Sequence, residues 1–545
     1  RQRQTRLDWW TRFLTADGPL MGASRFVVAG GIVAAVLGLS LNTGGASVTV
    51  YNGLGRAVVV NIGSHKVNVA PFSSAALDIG TDKRYKIDTL SSDGQRIETF
   101  ETDIRGSFSN AIYNVAGASP LVEWTAAYGN ASAGPERPLG AIRWTTSDAG
   151  TLFNEPPRSI SSKQGGGTRN VLQGMGKASP SQQLSMLKDD SEKQRLIALH
   201  ARWDATSTPH ALNWLALAIR LPSYRSILSA RLDESPNDPV LLRTEQDGAN
   251  DKDRSFICFR HQAKSNQAPN NGDLKYIALR CNSDQPDYNQ KIMEAHKKWP
   301  ENGWLAYLVG FQQAQMAMWS EAQINLEIAR PKLPMMVDAI NLNLARIKRM
   351  QATATPAELS KLAESSEPLS YLVALDSGQG LGQKDLAAYA ELAQGNLEKA
   401  LSLSSGSAAH EARVLRLVAA SDGASSELNA RALALPTNQG VDPSSVWVSY
   451  AFALSNRQNP APFLKAAQGF DGKDADAIQL FLDTLPTSKN PADAEKLLDG
   501  LAPEQRGQAY SAGVVLLGSK APQSWRDFSK RLLFASERPY FGQGA

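Results

Sequence analysis

Along this chain, apolar and polar positions fall into four successive patterns. Phe26–Leu41 (FVVAGGIVAAVLGLSL) is an uncharged run with one hydroxyl, Ser40. As a helix it spans about 24 Å, and residues 20–25 and 42–46 lengthen it towards a hydrocarbon core of about 30 Å. We expect a single transmembrane helix over 26–46, with membrane contact beginning near residue 20. After Ser47 the period becomes two and β-branched residues dominate, as in SVTVYN (47–52), AVVVNI (57–62) and KVNVA (66–70). Gly53-Leu54-Gly55, Gly63-Ser64 and Ser91–Gly94 punctuate these runs. The pattern predicts seven or eight short strands and a small all-β sandwich or barrel over 47–129.

Residues 130–178 are rich in Gly, Ser, Pro and Thr, with breakers at Pro156-Pro157 and Gly165–Gly167. They read as a linker, partly packed on the β domain through Trp124, Trp144 and Phe153. From 179 to 545 apolar residues recur at helical spacing in segments of about 8–16 residues, broken by Pro, Gly, Asn or Asp. That pattern predicts an all-α array of antiparallel helix hairpins. The expected chain is therefore multi-domain: membrane helix, small β domain, helical solenoid.

Charge sharpens the picture at one end only. The 57 basic and 53 acidic residues leave a net +4. Arg1, Arg3, Arg6, Arg12 and Arg25, against Asp8 and Asp17, put +3 of this into residues 1–25. The balanced remainder lacks the broad basic footprint of a nucleic-acid binder, and none is expected as a partner. Trp9, Trp10, Phe13 and Leu14 among those arginines read as a basic amphipathic lead-in over 1–25 at a membrane face. The positive-inside rule then puts the N-terminus in the cytoplasm of a bacterium and the bulk of the chain in the periplasm, beyond the inner membrane. Gly30, Ala34 and Gly38 form a small-residue row, a candidate packing face of the transmembrane helix.

Within the helical region, Gly310 precedes Ala322 by twelve positions, and Leu326, Ala329 and Pro334 follow at regular intervals. Trp319 opens the second helix. Gly303–Met336 thus resembles the tetratricopeptide repeat, a 34-residue helix–turn–helix. Gly310 and Ala322 let two helices approach, while Leu326 and Trp319 fill the gap to the next pair. Ala306 stands where Trp is usual, with Trp304 two residues away, and Gln313 stands where Tyr is usual. Ala388, Gly395, Leu397 and Ala400 repeat the spacing more weakly within Leu386–Leu403. The resemblance covers roughly 180–535, and implies a concave face that holds a peptide or another protein. Trp304, Tyr307 and Trp319 are candidate partner-binding residues; core packing competes for all three and is favoured for Trp319.

The two cysteines, Cys258 and Cys281, stand 23 positions apart. Outside the cytoplasm they are a candidate disulfide, contributing on the order of 3 kcal/mol by chain entropy. A zinc set of Cys258, His261, Cys281 and His296 has no standard spacing. No histidine lies in His-Glu-x-x-His, no Gly-x-Ser-x-Gly elbow occurs, and no strand is expected to lead into the KQGGGTRN glycines as a phosphate loop requires. Hence no catalytic, cofactor or metal site is expected. The reading is a non-catalytic, membrane-anchored extracytoplasmic scaffold that binds partner proteins or peptides at the cell envelope. Its alternative is the C-terminal, substrate-binding or regulatory part of a larger membrane enzyme, such as a protease, with catalytic residues upstream of Arg1.

Overall fold

The computed structural model describes residues 2–5, 46–79, 83–104, 110–160, 166–283, 285–379 and 384–542. The chain divides into two units, Arg1–Ser283 with Pro334–Met336, and Asp284–Leu333 with Val337–Ala545.

In the first unit the alternating valines form strands as the period requires. Val58, Val60 and Ile62 point into the core from β3 (Val58–Ile62), and Val48 and Val50 from β2 (Ala46–Asn52). β3 lies in a four-stranded sheet, in the order β4 (His65–Val69), β3, β6 (Lys83–Ser91), β7 (Arg96–Ile104). β2 lies in another, between β5 (Ser73–Ile79) and β8 (Asn110–Asn114), with β11 (Trp144–Ser147) beyond β8. These two sheets share one core that includes Val50, Val60, Ile62, Ile87 and Tyr113.

A third sheet corrects the expected sandwich of 47–129. β9 (Leu121–Gly129) pairs with β14 (Gly166–Gly174) along its whole length, and β12 (Thr151–Leu152) extends that edge. The other edge of β9 holds β10 (Arg137–Gly140) and β1 (Gln2–Thr5), and β1 also pairs with β13 (Ser159–Ile160). Strands thus continue through the residues read as a linker. Gly166 and Gly167 open a nine-residue strand whose only large apolar residues are Val171 and Leu172. A strand so polar shows no alternation, because backbone pairing with β9 rather than side-chain burial places most of it.

The single-pass anchor is also overturned. Phe26–Leu41, with Gly30, Ala34 and Gly38, lies outside the described residues. Among the described residues, no helix is long and apolar enough to cross a membrane. Gln4 and Thr5, placed by the sequence in a cytoplasmic lead-in, pair in one sheet with Tyr128 and Ala127 from the far side of that segment, and Gln2 and Arg3 pair with Ile160 and Ser159. A bilayer does not separate strands that share backbone hydrogen bonds.

From Pro180 onward the described residues are mostly helical, and successive helices pack on their chain neighbours, as in a helical solenoid. The first unit carries α1 (Pro180–Ser185), α2 (Asp190–Trp203), α3 (Ala211–Ala218), α4 (Tyr224–Glu234), α5 (Pro239–Asp247), α6 (Asp251–Gln267) and α7 (Gly272–Arg280). Their starts are written locally: Ser179 makes a capping box with Gln182, and Asp238 and Asn271 cap α5 and α7.

The second unit begins with α8 (Tyr288–Lys298), α9 (Gly303–Gln315), α10 (Trp319–Ala329) and α11 (Val337–Met350). α12 (Pro356–Ala363), α13 (Glu367–Asp376), α14 (Lys384–Ala393), α15 (Leu397–Leu403) and α16 (Ala408–Ala419) follow. It ends with α17 (Ser426–Leu433), α18 (Val446–Ser455), α19 (Ala461–Asp471), α20 (Asp474–Thr484), α21 (Pro503–Leu517) and α22 (Gln523–Leu532). Its C-terminal end returns onto earlier helices. Arg349 donates to the carbonyls of Lys530 (2.6 Å) and Leu533, and Arg346 pairs with Glu504 and Glu537. The helices after α11 therefore do not simply run on as an open stack.

Candidate functional site

The α9–α10 hairpin is built by close approach. Gly310 carries no side chain where a Cβ would lie 2.9 Å from Leu326 Cγ and 3.1 Å from the Ala322 carbonyl oxygen. Ala322 and Leu326 are fully buried, and Ala329 continues their face. Gln313, standing where an aromatic is usual, accepts a 2.8 Å hydrogen bond from the Asn325 amide inside the interface. This buried polar pair fixes the pairing of the two helices at a cost in apolar area.

The three aromatic residues singled out in this hairpin part ways. Trp304 is buried against the core, so a partner does not reach it as the protein stands. Trp319 is half-buried at the start of α10. Tyr307 is also half-buried, and its ring stacks on that of Phe311 at 6.2 Å between centroids. Sequence spacing did not mark Phe311, because a phenylalanine one turn after a tyrosine reads equally well as core. Phe311 is exposed, as are Met316, Met318 and Ile324 on the same hairpin. Ala317, between the two methionines, adopts a left-handed backbone (φ 57°) in the turn that joins the two helices.

In the first unit, Cys258 of α6 and Cys281 at the end of α7 are joined by a disulfide, so neither offers a thiolate to a metal. Behind it lies a buried polar cluster. The Gln246 amide donates to His261 Nδ1 at 3.0 Å, and His261 Nε2 faces the Glu245 carboxylate at 2.8 Å. Arg260 pairs with the same carboxylate. Burial raises the Glu245 pKa, but hydrogen bonds from His261 and Arg260 outweigh it together and hold the group below its ordinary value. Outside this cluster, α6 turns Phe256 and Phe259 to solvent, 66% and 73% exposed. Replacing both by serine is expected to shift unfolding free energy by less than about 0.5 kcal/mol per site, checked by denaturant titration.

A second buried pair was not legible as chemistry in the sequence. His200 and Asp204 stand four residues apart at the C-terminal end of α2, with Nδ1 2.8 Å from Asp204 Oδ2. A base and its orienting carboxylate have this geometry, but His200 Nε2 is 2.8 Å from the Ala118 carbonyl and the ring is fully buried against Trp214. A base whose second nitrogen faces a main-chain carbonyl has no path to a substrate proton. The pair is instead a joint. Asp204 Oδ1 accepts the Gly55 N–H at 2.7 Å, and Arg195 donates to the carbonyl of Ala116, which sits at φ 50°. Arg231 donates to the carbonyls of Ala201 and Asp204, and burial pulls its pKa down to about 10.

The third sheet carries a cleft of about 400 Å³ lined by Glu123, Thr125, Arg137, Ser147, Asp148 and Asn170 among others. Glu123 is engaged by Arg137 and by the Ser147 hydroxyl, and Thr125 donates to Asn170. Trp124, next to Glu123 and Thr125 on β9, also lines the cleft, and it packs with Ala126, Tyr128 and Val171 and donates its indole N–H to Gln173. Much of the cleft's polar lining, Glu123, Arg137, Ser147, Thr125 and Asn170, is thus already bonded within the cleft. Among the described residues, no group of three His, Cys, Asp or Glu is arranged to hold a metal ion. No family model, no curated protein and no solved structure matches this chain.

Proposed function

We propose that this protein is a non-catalytic interaction module whose α9–α10 hairpin, similar to a tetratricopeptide repeat, holds an apolar segment of a partner protein. One observation carries the reading. Phe311, Met316, Met318 and Ile324 place four exposed large apolar side chains on a single hairpin, with Tyr307 stacked beside Phe311. Concentrated exposed apolar area on a soluble domain marks a binding surface, and methionines adapt to varied apolar partners. The Cys258–Cys281 disulfide supports an oxidising compartment as the working place.

The test places a photo-crosslinking residue at Phe311 in the full chain, in intact cells, with Gln468, an exposed polar position, as the control. A discrete protein is expected at position 311 and not at 468. Its capture is expected to fall about tenfold when Ile324→Ser and Met318→Ser are added, a change of roughly 1.4 kcal/mol. Equal capture at both positions, or none at 311, would overturn the proposal. The thermal midpoint of each variant, measured alongside, separates lost contact from lost fold.

A further inference from the structure

Helix α6 is attached to its unit in an unusual way. Of its 17 residues only His261 and Ser265 are buried, while its two phenylalanines face outward. Most helices in a folded domain are held by an apolar stripe turned inward, and α6 has its polar residues there instead. The ties that hold it include the Cys258–Cys281 bond, the His261 contacts to Glu245 and Gln246, Arg260 to Glu245, the exposed Arg225–Asp253 pair, and Lys264 donating to the Pro236 carbonyl at 2.9 Å and to Asn237. One of these ties is covalent, and both of its cysteines are half-buried rather than sealed.

We propose that α6 is a redox-released strap. With the disulfide closed, the helix lies over α5 and α7 and keeps Phe256 and Phe259 at the surface. A dithiol reductant opens it. One reductant thiolate attacks Cys258 Sγ, the Sγ–Sγ bond breaks, and Cys281 leaves as a thiolate that takes a proton from water. The second reductant thiolate then attacks the mixed disulfide, freeing Cys258, which is likewise protonated as the reductant becomes a disulfide. The direction follows from Gln246, whose amide nitrogen lies 3.2 Å from Cys281 Sγ; it is shared with His261 Nδ1 at 3.0 Å and the Ile277 carbonyl at 2.8 Å, and turning one of its two hydrogens to the sulfur stabilises the negative charge that develops there. Without the covalent tie, the polar contacts of α6 compete with water, and the helix separates from the α5 and α7 surfaces beneath it. Local opening of this kind is characteristic of an element with few buried apolar contacts.

Amide hydrogen exchange on the full chain, before and after dithiothreitol, reads this out. Exchange over 254–267 is expected to rise at least tenfold on reduction and to return on reoxidation, while α2 and β9 keep their rates. Cys258→Ser with Cys281→Ser is expected to show the raised exchange without reductant. Should that variant fail to fold, the reduced native chain still gives the measurement. Unchanged exchange over 254–267 would show that the helix holds without the bond. An equal rise across residues 46–283 would show an ordinary staple of the whole unit, and either result overturns the strap.

Discussion

Replacing Asp204 by alanine is expected to destabilise the first unit by about 3–5 kcal/mol, because it strips the partner from two buried groups, the His200 Nδ1 and the Gly55 N–H, at about 1–3 kcal/mol each. The ring nitrogens of His200 lie 2.8 Å from the Asp204 carboxylate and 2.8 Å from the Ala118 carbonyl, so the carboxylate is the buried partner of Nδ1. The substitution leaves that ring in the core beside Trp214, and it also leaves the Gly55 N–H without its acceptor. No gain in helix propensity offsets these losses, because Asp204 lies at φ −67°, ψ 140°, just past the end of α2. Asp204→Asn retains size and an acceptor for Gly55 but not the charge, so its loss is expected to lie between those of native and alanine. Native-state hydrogen exchange over residues 196–204, in each variant, gives the free energies. A loss under about 1 kcal/mol for alanine would mean that the pair is a passenger of the packing around it.

That joint also shows why parts of the fold were hidden in the sequence. Period-two runs such as AVVVNI announce themselves, because half of each strand is buried and half is not. β14 does not, since its order comes from backbone pairing along β9 and its side chains are mostly polar. His200 was visible as a histidine and Asp204 as an acid four residues on. Neither spacing nor composition showed that the Gly55 loop, 149 positions earlier, would close on them. The candidate site divides the same way. Sequence pattern brought out the hairpin and its glycine, because helix approach demands a small residue. It could not rank Trp304 against Phe311, because an aromatic residue suits a core and a docking face equally well.

The glycines of the two repeat-like segments make the same point about spacing and role. Ala388, twelve positions before Ala400, matches Gly310 in register, whereas Gly395 matches Ala317: it sits in the turn between α14 and α15 at φ 79°, where a Cβ would also meet the Tyr540 ring at 2.7 Å. It serves a left-handed turn rather than a helix crossing. Gly310 is the true crossing, and that sets the last expectation. In an exposed helix, Gly→Ala gains about 1 kcal/mol in propensity. At Gly310 the added carbon meets backbone atoms of α10, the Ala322 carbonyl oxygen and the Leu326 nitrogen, both at 3.1 Å. Those atoms move only if the helices part, and overpacking of this kind costs about 1–3 kcal/mol. Gly310→Ala is therefore expected to be net destabilising despite its propensity. Gly310→Val, adding two more carbons and a β-branch, is expected to lose about 3 kcal/mol and to raise hydrogen exchange in α9 and α10 together. If alanine instead raised the unfolding midpoint, the two helices would stand farther apart than the Gly310–Leu326 contact requires, and the likeness of this hairpin to a tetratricopeptide repeat would lose its physical basis.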